Sequence, residues 1–434
     1  MLLSSVKDRV RKFALRRAMR NRTSVVPDIT TLRKVPEHLT FPLRRDGVDP
    51  VPALAESRAD GPVSLLGSVL GLDIFLVTGH QAAKQVLADS RSYSNDMRHL
   101  LGDRPRTDAE QIGGLGMTDP PDHTRLRGLL TPEFTMRRLQ RLQEPIERIV
   151  EEALDAMEAS GPVVDLVDAF GFEIPFQVIC ELLGLPSEVR EEFHHLGVAR
   201  FDVSEGGTGV FGAAAETRTF LIDAVRQQRQ DPGDGLIGEI IRTKGEEFSD
   251  LELGGLADGA FLGGYETSAA MLSMGTYVLL QRPEVFELLR TGDKEQVDAV
   301  IDELLRYLCP VQIAFPRFAR EDHDLFGQKV TKGSVVIVSL AGANRDPEAM
   351  ANPEQFDLRN TKTMNFAFGH GMHRCVGAEL ARMELRAALT ALAKRFPHLA
   401  MATDDPGELG FRNLSIVYGL DRLPVRLDST LERV

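Results

Sequence analysis

The sequence predicts a mainly α fold with a small β region, built as one domain around a long central helix. Three observations predict it. Residues 249–282 form one apolar run of helical pattern. Residues 121–244 are helical with short breaks, and the pattern resumes after Cys375 up to about Arg395. Strand character is confined to 73–78, 330–340 and a hairpin-like tail at 414–427. The 434 residues, 43% hydrophobic and 26% charged, are enough for a large core. Length alone suggests two or three domains, but no linker-like stretch divides the chain.

Taken in order, residues 1–34 are a basic extension. Lys7, Arg9, Arg11, Lys12, Arg16, Arg17, Arg20 and Arg22 face Asp8 alone, and Val6, Val10, Phe13 and Ala14 share one helical face. A solvated extension explains this, as does contact with an anionic membrane surface or an acidic partner. Residues 36–52 are turn-rich, 73–78 read as a strand, 80–88 as a helix, and 96–116 as a polar loop. Residues 206–209, Gly-Gly-Thr-Gly, interrupt the helical run. A helix at 294–308 stops before Pro310, and Asn344 to Pro347 open an irregular stretch.

The central helix starts at a capping box, Ser249-Asp250-Leu251-Glu252. It runs to Arg282, where Pro283 ends it. At roughly 1.5 Å per residue it would be about 50 Å long, and it is apolar nearly all round, hence central. Between Asp258 and Arg282 its one charged residue is Glu266. A lone buried carboxylate costs several kcal/mol unless paired or wet. Gly263-Gly264 precede it, which suggests the close approach of something flat or bulky. Thr267 follows and can bond back to a carbonyl one turn earlier. An acid–alcohol pair facing a cavity can deliver protons; a packing glycine pair beside a satisfied acid is the plainer alternative. Glu303 and Arg306, at i and i+3, point away from the apolar stripe of their helix. By pattern alone they form a solvated pair worth about 0.3 kcal/mol.

Cys375 lies in Phe366-Ala367-Phe368-Gly369-His370-Gly371-Met372-His373-Arg374-Cys375-Val376-Gly377-Ala378, just ahead of a helix. Flanking cations and a helix start favour a thiolate. Such a thiolate serves as a nucleophile or as an axial metal ligand. Cys180 and Cys309 are far away in sequence, so the three cysteines make neither a disulfide framework nor a zinc spacing.

Together, Gly263-Gly264-Tyr265-Glu266-Thr267-Ser268, Glu303-x-x-Arg306 and Phe368-Gly369-x-Gly371-x-His373-x-Cys375-x-Gly377, in that order, resemble the cytochrome P450 haem-thiolate family, in particular its soluble bacterial members. The resemblance runs from about Pro42 to the C-terminus and implies a catalytic domain at 35–434 with haem b as cofactor. It implies Cys375 as the iron ligand, where thiolate donation favours O–O cleavage. Phe368 would pack beside the sulfur, and Gly369 and Gly377 would let backbone approach the porphyrin. His123, Arg127, Arg317 and His373 would bind propionates. Gly263 would lie over the distal face, with Glu266 and Thr267 as the oxygen-activation pair. Glu303 and Arg306 would become a buried structural pair. The family's following Arg falls one position early, at Arg359, which leaves open whether it reaches Glu303. Ser268 stands for a more frequent second Thr. Cys180 and Cys309 match no ligand position.

The implied reaction is monooxygenation: hydroxylation or epoxidation of an apolar molecule (a lipid, terpenoid, steroid or polyketide-like compound) using O2. Electrons would come from NAD(P)H through a separate ferredoxin and reductase, docking near Arg125, Arg138, Arg141 and Arg374. The pocket would include the 96–116 loop, residues 201–211, Phe261, Leu262, Ile313 and Ile416, with Gln312 as a polar anchor. Alternatives are a peroxide-driven peroxygenase, which Glu266-Thr267 speaks against, a non-catalytic haem sensor, and a cysteine hydrolase, for which no His–Asn/Asp partners are evident. No run approaches ~18 apolar residues, no signal-peptide pattern is present, and a net charge of -13 argues against nucleic acid. A cytoplasmic location is expected.

Overall fold

The computed structural model describes residues 36–69, 71–96, 115–201, 208–403 and 405–427, with side chains left aside at 198–201 and 208–215. The basic N-terminal extension and most of the 96–116 loop lie outside these residues, as do positions 206 and 207 of the glycine-bearing break.

Helices dominate. Those that position the site are α1 (His80–Ala88), α2 (Asp122–Leu130), α3 (Gln143–Ala159), α4 (Glu173–Leu183), α5 (Arg190–Phe201), α6 (Thr208–Gln230), α7 (Asp250–Leu280), α8 (Pro283–Thr291), α9 (Lys294–Leu308) and α10 (Ala378–Arg395). The strands β1 (Val63–Val69), β2 (Leu72–Val77), β3 (Tyr93–Ser94), β5 (Arg317–Ala319) and β6 (Val335–Val338) form one sheet in the order β1-β2-β6-β5-β3. Only β2 and β6 pair in parallel. A second sheet joins β4 (Val163–Asp165), β7 (Ala400–Met401) and β8 (Pro424–Arg426) in the order β7-β8-β4.

Helix α7 is the axis of the molecule. Its 31 residues span about 46 Å, and α4, α6, α8, α9 and α10 pack around it. Both arms of its capping box form: the Ser249 hydroxyl accepts the Glu252 N–H, and the Glu252 carboxylate accepts the Ser249 N–H at 3.0 Å. The helix ends at Leu280, and Pro283 opens α8 as well as closing α7, because a first-turn residue needs no N–H. Helix α9 has the expected bounds. It begins at a second capping box, on Asp293, and ends at Cys309 in the left-handed conformation.

Two regions differ from expectation. Strand β4 interrupts the helical 121–244 stretch: three residues too short to show a period, set by pairing Val164 with Val425 far along the chain. The tail is not one hairpin at 414–427. A hairpin-like turn closes earlier, by a Phe411–Leu420 bridge, and β8 pairs with β7 and β4 instead. Among the described residues no helix is long and apolar enough to cross a membrane.

Candidate active site

Glycines shape the loop before α10. Gly369 (φ 66°) and Gly371 (φ 73°) occupy the left-handed region. The Gly369 N–H donates to the Phe366 carbonyl (2.8 Å), and the Cys375 N–H donates to the Phe368 carbonyl (2.9 Å). Asn344 anchors the loop from outside by accepting the Phe366 N–H at 2.7 Å. The Arg382 guanidinium covers the Phe368 ring at 4.8 Å and bonds Asp302 at 2.9 Å.

Cys375 corrects one expectation. The Gly377 N–H and Arg127, Arg374 and Arg382 all pull its thiol pKa down, but burial pushes it up further and the net shift is upward. Desolvation outweighs the flanking cations. Water-sized space reaches Cys375, although protein surrounds the thiol at longer range.

Beside it stands a group of basic side chains. His123 is buried, and neither of its ring nitrogens has a hydrogen-bond partner; His373 Nδ1 has none either. The two rings are 4.3 Å apart. Burial, with His123 and Arg317 nearby, pushes His373 down to about 4. Burial also lowers Arg317 to about 10, and its Nη1 reaches only the Phe315 carbonyl, at 2.8 Å. Arg127 acts electrostatically on Cys375 from α2. Buried donors left without acceptors cost about 1–3 kcal/mol each, so these residues fit a ligand that brings anionic oxygens to this edge. Haem propionates have that chemistry.

Across from the loop, α7 splits its glycine pair. A Cβ at Gly264 would come within 2.5 Å of Ile179 Cδ1, so Gly264 is a packing glycine. At Gly263 a Cβ would meet nothing within 4 Å, which leaves this face open for a flat group. The Thr267 hydroxyl donates back to the Gly263 carbonyl at 2.7 Å. Glu266 is not lone: Arg412 Nη1 donates to its Oε1 at 3.0 Å. Burial raises the Glu266 pKa, and Arg412 opposes this.

Glu303 and Arg306 overturn the surface reading made from pattern alone. They are 0% and 1% exposed and joined by two 2.7 Å bonds. Arg306 also donates to the carbonyls of Asn344, Pro353 and Gln355, each at 2.8 Å. Glu303 accepts the Asp357 N–H at 2.7 Å and Asn360 Nδ2 at 3.3 Å. Arg359 does not join them; it is mostly exposed and pairs with Asp357 at 2.6 Å.

Two of the pocket residues are misassigned by sequence. Phe261 is fully buried in the core between α5 and α7, 4.6 Å from the Phe193 ring and 5.3 Å from Tyr265. Gln312 is no substrate anchor. Its Oε1 accepts from Arg45 (3.1 Å), and its Nε2 donates to the carbonyls of Leu43 (3.1 Å) and Ser415 (2.7 Å). Leu262 and Ile416 are exposed, and Ile313 is half-buried in a bridge to Ser339. The four basic landing candidates all have acidic neighbours: Arg125 with Glu252, Arg138 and Arg141 with Glu133, and Arg374 with Glu379. Cys180 and Cys309 are buried, with their thiols raised to about 12 and about 11, as inert core residues should be.

Sequence reasoning missed two residues. Arg412 lies 146 positions from Glu266, and nothing local signals the pairing. Glu384, on α10, is 3% exposed and is pushed up to about 8 by burial, with only Ser268 on α7 bonding to it. Its Oε1 has no partner.

The chain was compared with known proteins. The family model described as Cytochrome P450 matches residues 213–417. Cytochrome P450 165B3 of Amycolatopsis orientalis is 36% identical over 391 residues, covering 88% of this chain and 97% of the relative. The 6-deoxyerythronolide B hydroxylase of Saccharopolyspora erythraea is 36% identical over 388 residues, covering 86% and 95%. OxyC, a cytochrome P450 implicated in an oxidative C–C coupling reaction during vancomycin biosynthesis, superposes with a TM-score of 0.80 at 35% identity, covering 88% of this chain and 95% of that one.

Proposed function

The chain belongs to the cytochrome P450 family, as a haem-binding monooxygenase, and on that premise we propose that Glu266 and Thr267 deliver protons during oxidation of an apolar, polyketide-like substrate. The observation that carries this reading is the open strip on α7. Leu262, Gly263, Glu266 and Thr267 recur at helical spacing, and Thr267 is bound back to Gly263.

Haem, when bound, supplies activation of dioxygen. The chain's own residues do the rest. Cys375 would be the iron ligand, and His123, Arg127, Arg317 and His373 would hold the propionates. Gly263 would leave the group room against α7, and Gly369 and Gly377 would do so on the cysteine side. The Thr267 hydroxyl donates to the Gly263 carbonyl and keeps its oxygen lone pairs free to accept. Glu266 takes up a proton at a carboxylate oxygen and passes it on through water. Glu303 and Arg306 hold the backbone leading to the cysteine loop and take no part in proton movement. Leu262, Ile313 and Ile416 contact substrate. The catalytic domain spans 35–434 in our reading, working in the cytoplasm with a separate ferredoxin and reductase.

Optical titration of the ferric protein with polyketides, steroids, terpenoids and lipids tests the substrate class. A low- to high-spin Soret shift names the ligand; a spectrum unmoved by every polyketide overturns that class. Thr267→Ala tests the proton route: peroxide yield per electron consumed should rise, and unchanged yield would remove Thr267 from it. The similarity to OxyC favours a second reading, oxidative coupling without oxygen insertion. Labelled O2 separates the two, since only monooxygenation puts the label in the product.

A further inference from the structure

We propose that Arg412 and Asp421 form a gate on Glu266: Arg412 holds the inner carboxylate ionised, and Asp421 draws Arg412 outward so that Glu266 takes up a proton. This rests on the proton-delivery reading of Glu266 and assigns its regulation to a hairpin at the C-terminal end.

The hairpin is built around the guanidinium. Phe411 bridges Leu420, the Arg412 N–H donates to the Gly419 carbonyl at 3.0 Å, and the Asp421 N–H donates to the Gly410 carbonyl at 3.0 Å. Arg412 and Asp421 therefore stand side by side on paired backbone. A Cβ at Gly419 would lie 2.7 Å from Arg412 Nη2 and 3.2 Å from its Cζ. A side chain at this position would push the guanidinium aside. The Phe172 ring lies 5.6 Å from Arg412 Cζ.

Its bonding is unfinished. Nη1 donates to Glu266 (3.0 Å) and Nη2 to the Leu420 carbonyl (3.3 Å). Nε is buried without a hydrogen-bond partner, with Asp421 Oδ1 at 3.5 Å. Glu266 and Arg412 are buried to a similar degree, 17% and 15% exposed, while Asp421 is 55% exposed. An inner acid and an outer acid thus share one cation, and a guanidinium keeps its charge, so geometry decides which acid it serves.

Burial raises the Glu266 pKa, and among the described residues Arg412 is the cation acting against it. Tyr265, its neighbour on α7, feels Glu266, Glu173 and Asp168, which are all acidic. When Arg412 turns to Asp421, Glu266 becomes a buried carboxylate without a counter-charge and accepts a proton from hydronium, leaving water. Once that proton has passed inward, the carboxylate recaptures Arg412. Arg412 and Asp421 are positioning residues; neither carries the proton.

The test is infrared difference spectroscopy of the holoenzyme across pH, with the Glu266 carboxyl band assigned by Glu266→Gln. Arg412→Gln should raise the protonation midpoint by about one pH unit, a tenfold gain in proton affinity. Asp421→Asn should lower it, about threefold in affinity, because the competing acid is gone. Arg412→Lys should restore most of the wild-type midpoint. Opposite signs from Arg412→Gln and Asp421→Asn are what a purely structural role would not produce. Shifts of the same sign, or none, overturn the gate. Peroxide yield separates the two readings. If Glu266→Gln leaves it unchanged, the proton-delivery role falls whatever the midpoints do. If Glu266→Gln raises it and the midpoints stay put, the gate alone falls.

Discussion

Two carboxylate–arginine pairs, Glu303–Arg306 and Glu266–Arg412, are finished differently. At Glu303–Arg306 every donor of the guanidinium is used and the pair is sealed from water. At Glu266–Arg412 a single bond joins the acid to a cation that is still short of partners. A saturated pair has one arrangement and can only hold structure. An unsaturated pair, with a second acid 3.5 Å away, leaves its cation a second partner to turn to. The residue types are the same, so the difference lies in what each guanidinium has left to bond.

Arg306→Ala should break this comparison most violently. It strands Glu303 in the core and frees three carbonyls, at a cost of about 3–5 kcal/mol. Urea denaturation measures it, and a loss below about 1 kcal/mol would place the pair with surface bridges. Glu384 sharpens the contrast as a buried acid that no cation offsets among the described residues. It binds its proton more tightly folded than unfolded, so stability falls as pH rises from the ordinary 4.5 toward 8. Glu384→Gln should remove that slope and gain on the order of 2 kcal/mol at pH 7. A variant whose stability tracks wild type across this window would show that Glu384 finds a partner.

Gln312→Ala should cost about 1–2 kcal/mol by leaving the buried Arg45 guanidinium short of an acceptor. Substrate-induced Soret shifts should keep their midpoints; weakened binding would restore Gln312 to the pocket. The smallest stability effect belongs to Glu266→Gln, under about 1 kcal/mol because its pair is half-made and partly wet. Its turnover should nevertheless drop about 100-fold. A stability loss equal to that of Arg306→Ala would erase the distinction between the two pairs.

Much of the site was legible because its signals are local. A capping box sets the start of α7, and a proline closes it. Glycines with positive φ shape the loop before Cys375, and the spacing of its residues carried the family resemblance. Where local signals competed with packing, packing prevailed. Phe261 sits on the same helix as Leu262 but turns into the core, and Gln312 spends its amide on three distant segments. Residues 330–340 were read as one strand, yet only Val335–Val338 joins the main sheet; the two hydrogen-bonding edges it needed belong to β2 and β5, which sequence does not place.

By itself, then, the sequence determined the long axial helix, the cysteine loop and the order in which acid, ion pair and thiol occur. These depend on φ, on caps and on periodicity, all fixed within a few residues. Tertiary structure alone decided which acid met which cation, which face of α7 stayed open, and that the cysteine thiol is raised and not lowered. Those outcomes depend on burial and on partners from remote elements, Arg412 above all, and desolvation is a property of the packed molecule that no local stretch of chain contains.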